Sequence, residues 1–213
     1  MHCTDACVIP FPAGDTSIRR MALGAREMGF DSLVAFGAEP GVYHGITIVK
    51  GVQLEGMEIR QILGAMKRAK SDSSLICANA GDNSFNRALM NIPGIRVLRN
   101  LHASPKKSFD QVTARMASDK RVAVDIDLSS LIQLRGSARQ KAIQRYSDAV
   151  MLQDKFGFPF TLSTGARSIL EMRSGRDMKA LCTLIDLPES GVEDALRAVG
   201  TLCNPEGPVK VVQ

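Results

Sequence analysis

Short apolar runs alternate along the chain with longer stretches in which apolar residues recur every three or four positions. Several of these runs are rich in β-branched residues, and their length suits strands that are buried on both faces of a parallel sheet. The pattern therefore predicts seven strands, at residues 6–9, 33–36, 46–49, 75–78, 95–98, 122–126 and 160–162.

Helical periodicity fills the segments between the predicted strands. The longest segment, 138–156, places Ala142 and Tyr146 on one face, as an amphipathic helix does. A serine followed three positions later by Gln, Asp or Glu is typical of a capping box at a helix start. Helices are accordingly predicted over 15–28, 57–70 and 138–156, and at starts marked by Ser108, Ser174 and Ser190.

The alternation of strand and helix indicates a parallel sheet with right-handed crossovers. Seven such units favour a closed or nearly closed barrel over an open sheet. No internal repeat, low-complexity tract or polar linker interrupts the sequence. We therefore expect a single TIM-like α/β barrel over residues 1–213, in which ligands would meet the loops that follow the strands.

The net charge of +5 is concentrated in one part of the chain. Residues 99–179 contain 15 Lys and Arg against 8 Asp and Glu, whereas the remainder contains 12 against 14. Such a segment either binds a polyanion or is a solvated basic surface without a partner. With no Trp and only two Tyr, stacking on unpaired bases is disfavoured, and recognition of shape and phosphate backbone is the better fit.

Arginine is frequent in the loops that follow the predicted strands, and its planar fork matches phosphate geometry. For each single arginine, a structural ion pair is the competing explanation, but the group as a whole favours an RNA-binding surface. The predicted RNA-binding residues are Arg87, Arg99, His102, Lys106, Lys107, Arg135, Arg167, Arg173 and Arg176.

Catalytic and metal-binding patterns are scarce. The three histidines lack metal-ligand spacing, and a set made of His102, Asp5 and Asp125 would combine groups that usually find local hydrogen bonds. We expect Asp125 and Asp127 to face opposite sides of their strand and to form a poor acid–base pair. No nucleophile or nucleotide-binding motif occurs. The sequence thus predicts no catalytic residue and no metal or cofactor site in this chain.

Cysteine content and hydropathy limit the setting of the protein. Five cysteines, an odd number, fall mostly in predicted strands and helices, which indicates reduced thiols in a cytoplasmic protein. No stretch of about 20 apolar residues occurs, and no basic start followed by an apolar run is present. We therefore expect no membrane contact and no signal peptide.

One run resembles a known protein family. The residues STGARSILEMRSGRD at 163–177 are similar to the signature of ribonuclease P protein component 3, which archaea and eukaryotes share. Other segments resemble the same family in order, so that the resemblance covers essentially the whole chain. These supporting segments are residues 5–12, 50–55, 80–89 and 121–132.

This resemblance implies a TIM-like barrel related to the PHP phosphoesterases and a role as a protein subunit of ribonuclease P, which removes the 5′ leader of precursor tRNA. It implies that the RNA performs the chemistry, with Mg²⁺ bound through that RNA. The implied partners are ribonuclease P RNA, the component 2 protein and, indirectly, precursor tRNA. The sequence lacks long basic extensions, and in this it resembles the archaeal, cytoplasmic members of the family.

The sequence departs from the related patterns at a few positions. PHP enzymes open with Asp-x-His-x-His, whereas Asp5, Cys7 and Ile9 stand here. Within the signature, Met172 replaces a common leucine, and Gly175 replaces the usual proline. Two alternatives stay open: a stand-alone metal-dependent PHP-type phosphoesterase, and a small-molecule enzyme with a phosphate pocket near 163–168.

Overall fold

The structure, a computed structural model, describes residues 3–54, 56, 58–69 and 74–203. Within these residues the strands are β1 (Thr4–Val8), β2 (Ser32–Phe36), β3 (Gly41–Tyr43), β4 (Ile46–Leu54), β5 (Ser74–Asn79), β6 (Val97–Arg99), β7 (Ala123–Asp127) and β8 (Phe160–Ser163). The α-helices are α1 (Ile18–Glu27), α2 (Ile59–Ala69), α3 (Asn83–Met90), α4 (Gln111–Lys120), α5 (Leu128–Gln133), α6 (Gly136–Phe156), α7 (Gly175–Cys182) and α8 (Glu189–Cys203).

Seven of the strands run parallel in the order β1-β2-β4-β5-β6-β7-β8. The two outer strands meet where they end: the amide of Gly165 donates to the carbonyl of Cys7 at 3.0 Å, and that of Ile9 to Ala166 at 2.8 Å. The sheet is therefore a nearly closed barrel, and the predicted TIM-like fold is confirmed. The prediction of one domain over 1–213 stays a prediction, because 204–213 lie outside the described residues.

Strand β3 was not predicted from the sequence. It forms an antiparallel hairpin with β4 through the two-residue turn His44-Gly45, in which both residues have positive φ (54° and 84°). Such a turn matches the twist of two hydrogen-bonded strands. The strand predicted at 46–49 and the family-like segment at 50–55 belong to the single strand β4, and Glu55 lies outside the described residues.

Apolar side chains fill two separate regions around the barrel wall. Because successive strand residues point to opposite faces, Leu33, Ile48 and Leu162 pack outward against the helices. A smaller cluster joins inward-facing strand residues to α8, and it consists of Ala6, Val34, Leu75, Cys77, Val97, Ala123, Ala198, Val199 and Leu202. Since these strand residues lie mostly near the strand starts, α8 covers that end of the barrel and leaves the opposite end, which we call the barrel mouth, for polar groups.

Most helix predictions hold within a few residues, but two of the three predicted serine caps are wrong. Helix α4 is capped by Asp110, whose carboxylate accepts from the amide of Thr113, while the hydroxyl of Ser108 contacts that of Ser104 at 2.5 Å. Ser190 lies inside the first turn of α8. Helix α2 begins at Ile59, and residues 57 and 70 of the predicted segment lie outside the described residues.

The third predicted cap, Ser174, forms a complete capping box with Asp177 at the start of α7. Replacing Ser174 with alanine should lower the free energy of unfolding by about 1 kcal/mol, because the first turn loses an acceptor for the Asp177 amide. Ser190→Ala is the matched control and should cost nothing measurable, since that side chain caps no helix. Chemical denaturation of both variants tests the pair, and equal losses would contradict it.

Candidate functional site

A buried ion pair lies inside the barrel near its mouth. The Nε atom of Arg99, the last residue of β6, donates to Oδ2 of Asp125 on β7 at 3.1 Å. The guanidinium carbon lies 4.9 Å from the ring centre of Phe36. Asp125 also accepts hydrogen bonds from the hydroxyls of Thr161 at 2.9 Å and Ser163 at 2.8 Å. Arg99 and Asp125 are only 7% and 1% exposed, so this guanidinium is held in one position.

A polar cavity of about 300 Å³ opens at the barrel mouth beside this pair. It is lined by Ile9, Arg99, Asn100, Asp127, Ser129, Gln133, Gly165 and Arg167. Gly165 has a φ of 61°, and a Cβ atom there would lie 2.9 Å from Oδ1 of Asp127. This position therefore requires glycine, because any side chain would press on the carboxylate and strain the backbone.

The prediction that Asp125 and Asp127 face opposite sides of their strand is wrong. Residues two apart on a strand point to the same face, and Asp127 lines the same cavity as the partner of Asp125, Arg99. Burial raises the pKa of Asp125, and the negative charge of nearby Asp127 raises it further, although the positive charge of Arg99 opposes both effects.

Three of the predicted RNA-binding arginines lie at the cavity or beside a pocket next to it, and we call Arg135, Arg167 and Arg173 the mouth arginines. Arg167 lines the cavity itself, and Arg173 lines a neighbouring pocket that shares Ser129 and Gln133 with it. Arg135 donates to the carbonyl of Ile132, which lines that neighbouring pocket. Arg167 and Arg173 likewise donate to backbone carbonyls. Within the described part of the chain, none of the three forms a salt bridge with a carboxylate.

Two other predicted arginines are paired inside the protein. Arg99 is bound to Asp125, as described, and Arg87 of α3 lies 2.5 Å from Oδ2 of Asp110. Burial raises the pKa of Asp110, but hydrogen bonds from Thr113 and Arg87 outweigh it and hold that pKa at about 2. For Arg87 and Arg99 the structural ion pair is thus present, and their assignment as phosphate contacts stays a prediction.

His102 also makes an internal contact. Its Nδ1 atom lies 3.0 Å from the hydroxyl of Tyr146, which in turn accepts a hydrogen bond from the amide of Asp127. Burial lowers the pKa of His102, so the ring stays neutral near pH 7. Tyr146 of α6 therefore links His102 to the end of β7 and holds the backbone of Asp127, which lines the cavity.

The two predicted lysines, Lys106 and Lys107, lie away from the mouth cavity, in a groove of about 680 Å³ between α6 and residues 106–111. Lys106, Lys107, Arg145 and Lys155 line this α6 groove together with apolar side chains, and Met151 there is 62% exposed. Arg176 lies in neither place: it shares a surface pocket with Lys179 and with Cys3, which precedes β1 at the opposite end of the barrel. The predicted residues thus separate into a mouth group, a groove group and Arg176.

Sequence reasoning missed two features of this region. Asp5 accepts hydrogen bonds from the backbone amide and the hydroxyl of Thr164, at 3.0 and 2.5 Å, across the junction of β1 and β8. The exposed apolar residue Met151 was likewise not singled out. Neither feature has a local signal, because Asp5 and Thr164 are 159 positions apart and Met151 belongs to an ordinary amphipathic helix.

Three further observations concern metal ligands, membrane-spanning helices and cysteines. Within the described ranges, no group of three or more His, Cys, Asp or Glu side chains is placed to hold a metal ion. Over the same residues, no helix combines the length and the apolar character that crossing a bilayer requires. All five cysteines are free thiols.

Comparison with solved structures establishes the fold class. One chain of an archaeal ribonuclease P, determined by cryo-electron microscopy with mature tRNA, matches at a TM-score of 0.75 and 17% identity, over 99% of this chain and 96% of that one. Histidinol phosphate phosphatase from Lactococcus lactis, determined with zinc, L-histidinol and phosphate, matches at a TM-score of 0.58 and 14% identity, over 86% and 92%. The fold and the site thus define a TIM-like α/β barrel with a basic, arginine-rich mouth.

Sequence comparison identifies the family within that class. A family model described as RNase P subunit p30 matches residues 3–204. The chain belongs to this family of ribonuclease P protein subunits, as the signature at 163–177 predicted. A similar protein from Haloarcula marismortui, ribonuclease P protein component 3, is 26% identical over 92% of this chain and 87% of its own length. The component 3 protein of Methanococcoides burtonii is also 26% identical, over 79% and 67%.

Proposed function

We propose that this subunit binds ribonuclease P RNA through phosphate contacts and assists the removal of the 5′ leader of precursor tRNA without catalysing the cleavage itself. Membership of the RNase P subunit p30 family supports the part of this proposal that places the chain in a ribonuclease P particle. The observation that carries the contact surface is the position of the mouth arginines, none of which forms a salt bridge within the described residues. Guanidinium groups that are held by backbone carbonyls and form no salt bridge are well suited to phosphate.

The chemistry in this proposal belongs to the RNA. Mg²⁺ would be bound through the RNA rather than by this chain, because the guanidinium of Arg99 is paired with Asp125 and lines the same cavity as Asp127, where it would repel a cation. The proposed setting is the cytoplasm of an archaeal cell, in line with the archaeal relatives. Reconstitution tests the proposal: precursor-tRNA cleavage is compared with and without this subunit, and equal rates and RNA stability would contradict it.

Replacing all three mouth arginines with alanine should weaken RNA binding in a salt-dependent way. Each phosphate contact contributes roughly one unit to the slope of log K against log salt concentration, so the triple variant should lose about three units. The measurement is RNA affinity over a series of salt concentrations. Arg26→Ala, an exposed change on α1, is the matched control. An unchanged slope in the triple variant would exclude these residues as phosphate contacts.

We further propose that the component 2 protein is the direct protein partner and that it occupies the α6 groove. The groove has apolar walls and an exposed methionine, which suit a protein surface better than a nucleic acid. Its rim carries four basic side chains against two acidic ones, Asp110 and Asp148, so the partner segment should be acidic as well as apolar.

Met151→Glu should abolish most of this protein–protein binding. The change places a charge in the apolar part of the groove, where it would meet apolar groups of the partner, and we expect at least a tenfold loss of affinity. Because Met151 is 62% exposed, the fold should be unaffected. Calorimetric titration with the component 2 protein measures the effect. Leu184→Glu, at another exposed apolar residue, should bind normally, and equal losses in both variants would refute the assignment.

A further inference from the structure

The cavity at the barrel mouth contains an acceptor that the protein itself leaves unsatisfied. Asp127 is 7% exposed, and its Oδ1 atom accepts from the amide of Ser129 at 2.9 Å. Its Oδ2 atom receives no hydrogen bond from any described residue. Asp127 lines the cavity, and its Oδ2 atom is not among the fully buried side-chain atoms that lack a partner, so this oxygen is accessible from the cavity. An accessible carboxylate oxygen on an otherwise buried side chain can accept hydrogen bonds from the N–H donors of a ligand.

A fixed donor lies beside this acceptor. Arg99 lines the same cavity, and its guanidinium is held in place by Asp125 on one side and by the ring of Phe36 on the other. The cavity thus offers a positive donor and a negative acceptor together. An isolated phosphate would be repelled by Asp127, and a metal cation would be repelled by Arg99. A neutral group that carries an acceptor next to donors can accept from Arg99 and donate to Asp127 at the same time.

The base edge that has this arrangement is the Watson–Crick edge of guanine, where a carbonyl oxygen lies next to two N–H donors. Adenine, cytosine and uracil each lack either the carbonyl or the pair of adjacent donors. The volume of about 300 Å³ is at the lower end of the range for small-molecule sites, which suits one base and excludes a base pair. Arg167 lies at the exposed side of the cavity, where a phosphate attached to the base would reach it.

We propose that the barrel mouth binds a single unpaired guanine nucleotide of an RNA strand, with Arg99 and Asp127 reading the base and Arg167 binding the phosphate. The inference rests on the proposed function for the source of the nucleotide. Proteins that read RNA sequence commonly hold unpaired bases by such edges. The mouth would then select one base, beyond the phosphate binding that the mouth arginines provide.

The test titrates the full chain with the four nucleoside 5′-monophosphates and with short single-stranded RNAs that do or do not contain one guanine. We expect GMP to bind at least tenfold more tightly than the other three, with NMR shifts at the amides of Ser129 and Gly165. Asp127→Asn keeps the oxygen that caps α5 but replaces the free acceptor by a donor. This variant should lose the guanine preference, whereas Asp119→Asn, an exposed change at the end of α4, should keep it.

Arg167→Gln should weaken the binding of all four nucleotides equally and leave their order of affinity unchanged. Equal binding of the four nucleotides, or a guanine preference that survives in Asp127→Asn, would overturn the inference. If GMP binds tightly but RNAs with and without guanine bind with equal affinity, the site binds a free nucleotide, and the proposal of an RNA ligand is refuted. Wild-type protein that assembles with ribonuclease P RNA but shows no base preference refutes this inference alone, whereas failure to assemble refutes the proposed function.

Discussion

Replacing Arg99 with methionine is expected to lower the free energy of unfolding by about 3–5 kcal/mol, the cost typical of breaking a buried ion pair from one side. Asp125, at 1% exposed, would keep its hydrogen bonds from Thr161 and Ser163 but lose the only positive charge that contacts it among the described residues. Methionine retains much of the side-chain volume, so the loss reports charge rather than packing. Chemical denaturation at pH 8 measures it.

The double variant Arg99→Met with Asp125→Asn should recover part of that loss. It leaves no unpaired charge, and the asparagine still offers partners to both hydroxyls. The single variant should also be less impaired at pH 5 than at pH 8, because an unpaired buried carboxyl has a raised pKa and folds more easily when protonated. If the single and double variants are equally unstable at every pH, the ion pair is not the cause.

Asp5→Ala is expected to lower the free energy of unfolding by about 2–4 kcal/mol, because Asp5 helps to close the barrel at the junction between β1 and β8. Among the described residues, the β-bridge at this junction is that between Val8 and Ala166, which follows the end of β8, and two backbone hydrogen bonds accompany it. The hydrogen bonds from Thr164 to Asp5 therefore supply much of the remaining connection. Asp5→Asn retains an oxygen acceptor for the Thr164 amide and should cost far less. A loss of the same size in both variants would show that the carboxylate geometry is irrelevant.

The same residue should make stability depend on pH. Burial raises the pKa of Asp5 to about 7, and nearby Asp125 adds to this, although hydrogen bonds from Thr164 oppose it. The folded protein therefore binds a proton that the unfolded chain, with a carboxyl pKa near 3.8, has released. The contribution of Asp5 to the free energy of unfolding should be fully present below about pH 4, fall as the pH rises towards about 7, and then level off. Denaturation curves of Asp5→Asn should lack this component, and an identical pH dependence in the variant would contradict the assignment.

The order of strands and helices could be predicted from the sequence because each depends on local periodicity. The same holds for the capping box at Ser174, whose partner Asp177 is three positions away. The cap predicted at Ser108 failed because Asp110, two positions further on, is the residue adjacent to the first turn, and Ser104 occupies the serine hydroxyl. The three-residue strand β3 was missed because it is too short to show a pattern.

The sequence by itself determined that the chain is an α/β barrel of the RNase P subunit p30 family and that its basic residues concentrate between positions 99 and 179. Only the tertiary structure decided which of them are available. Arg87 and Arg99 meet carboxylates 23 and 26 positions away, because strand neighbours in a barrel wall are remote in sequence. The mouth arginines form no salt bridge with any described carboxylate for the same reason, since charge pairing is fixed by distance in space and not by spacing along the chain.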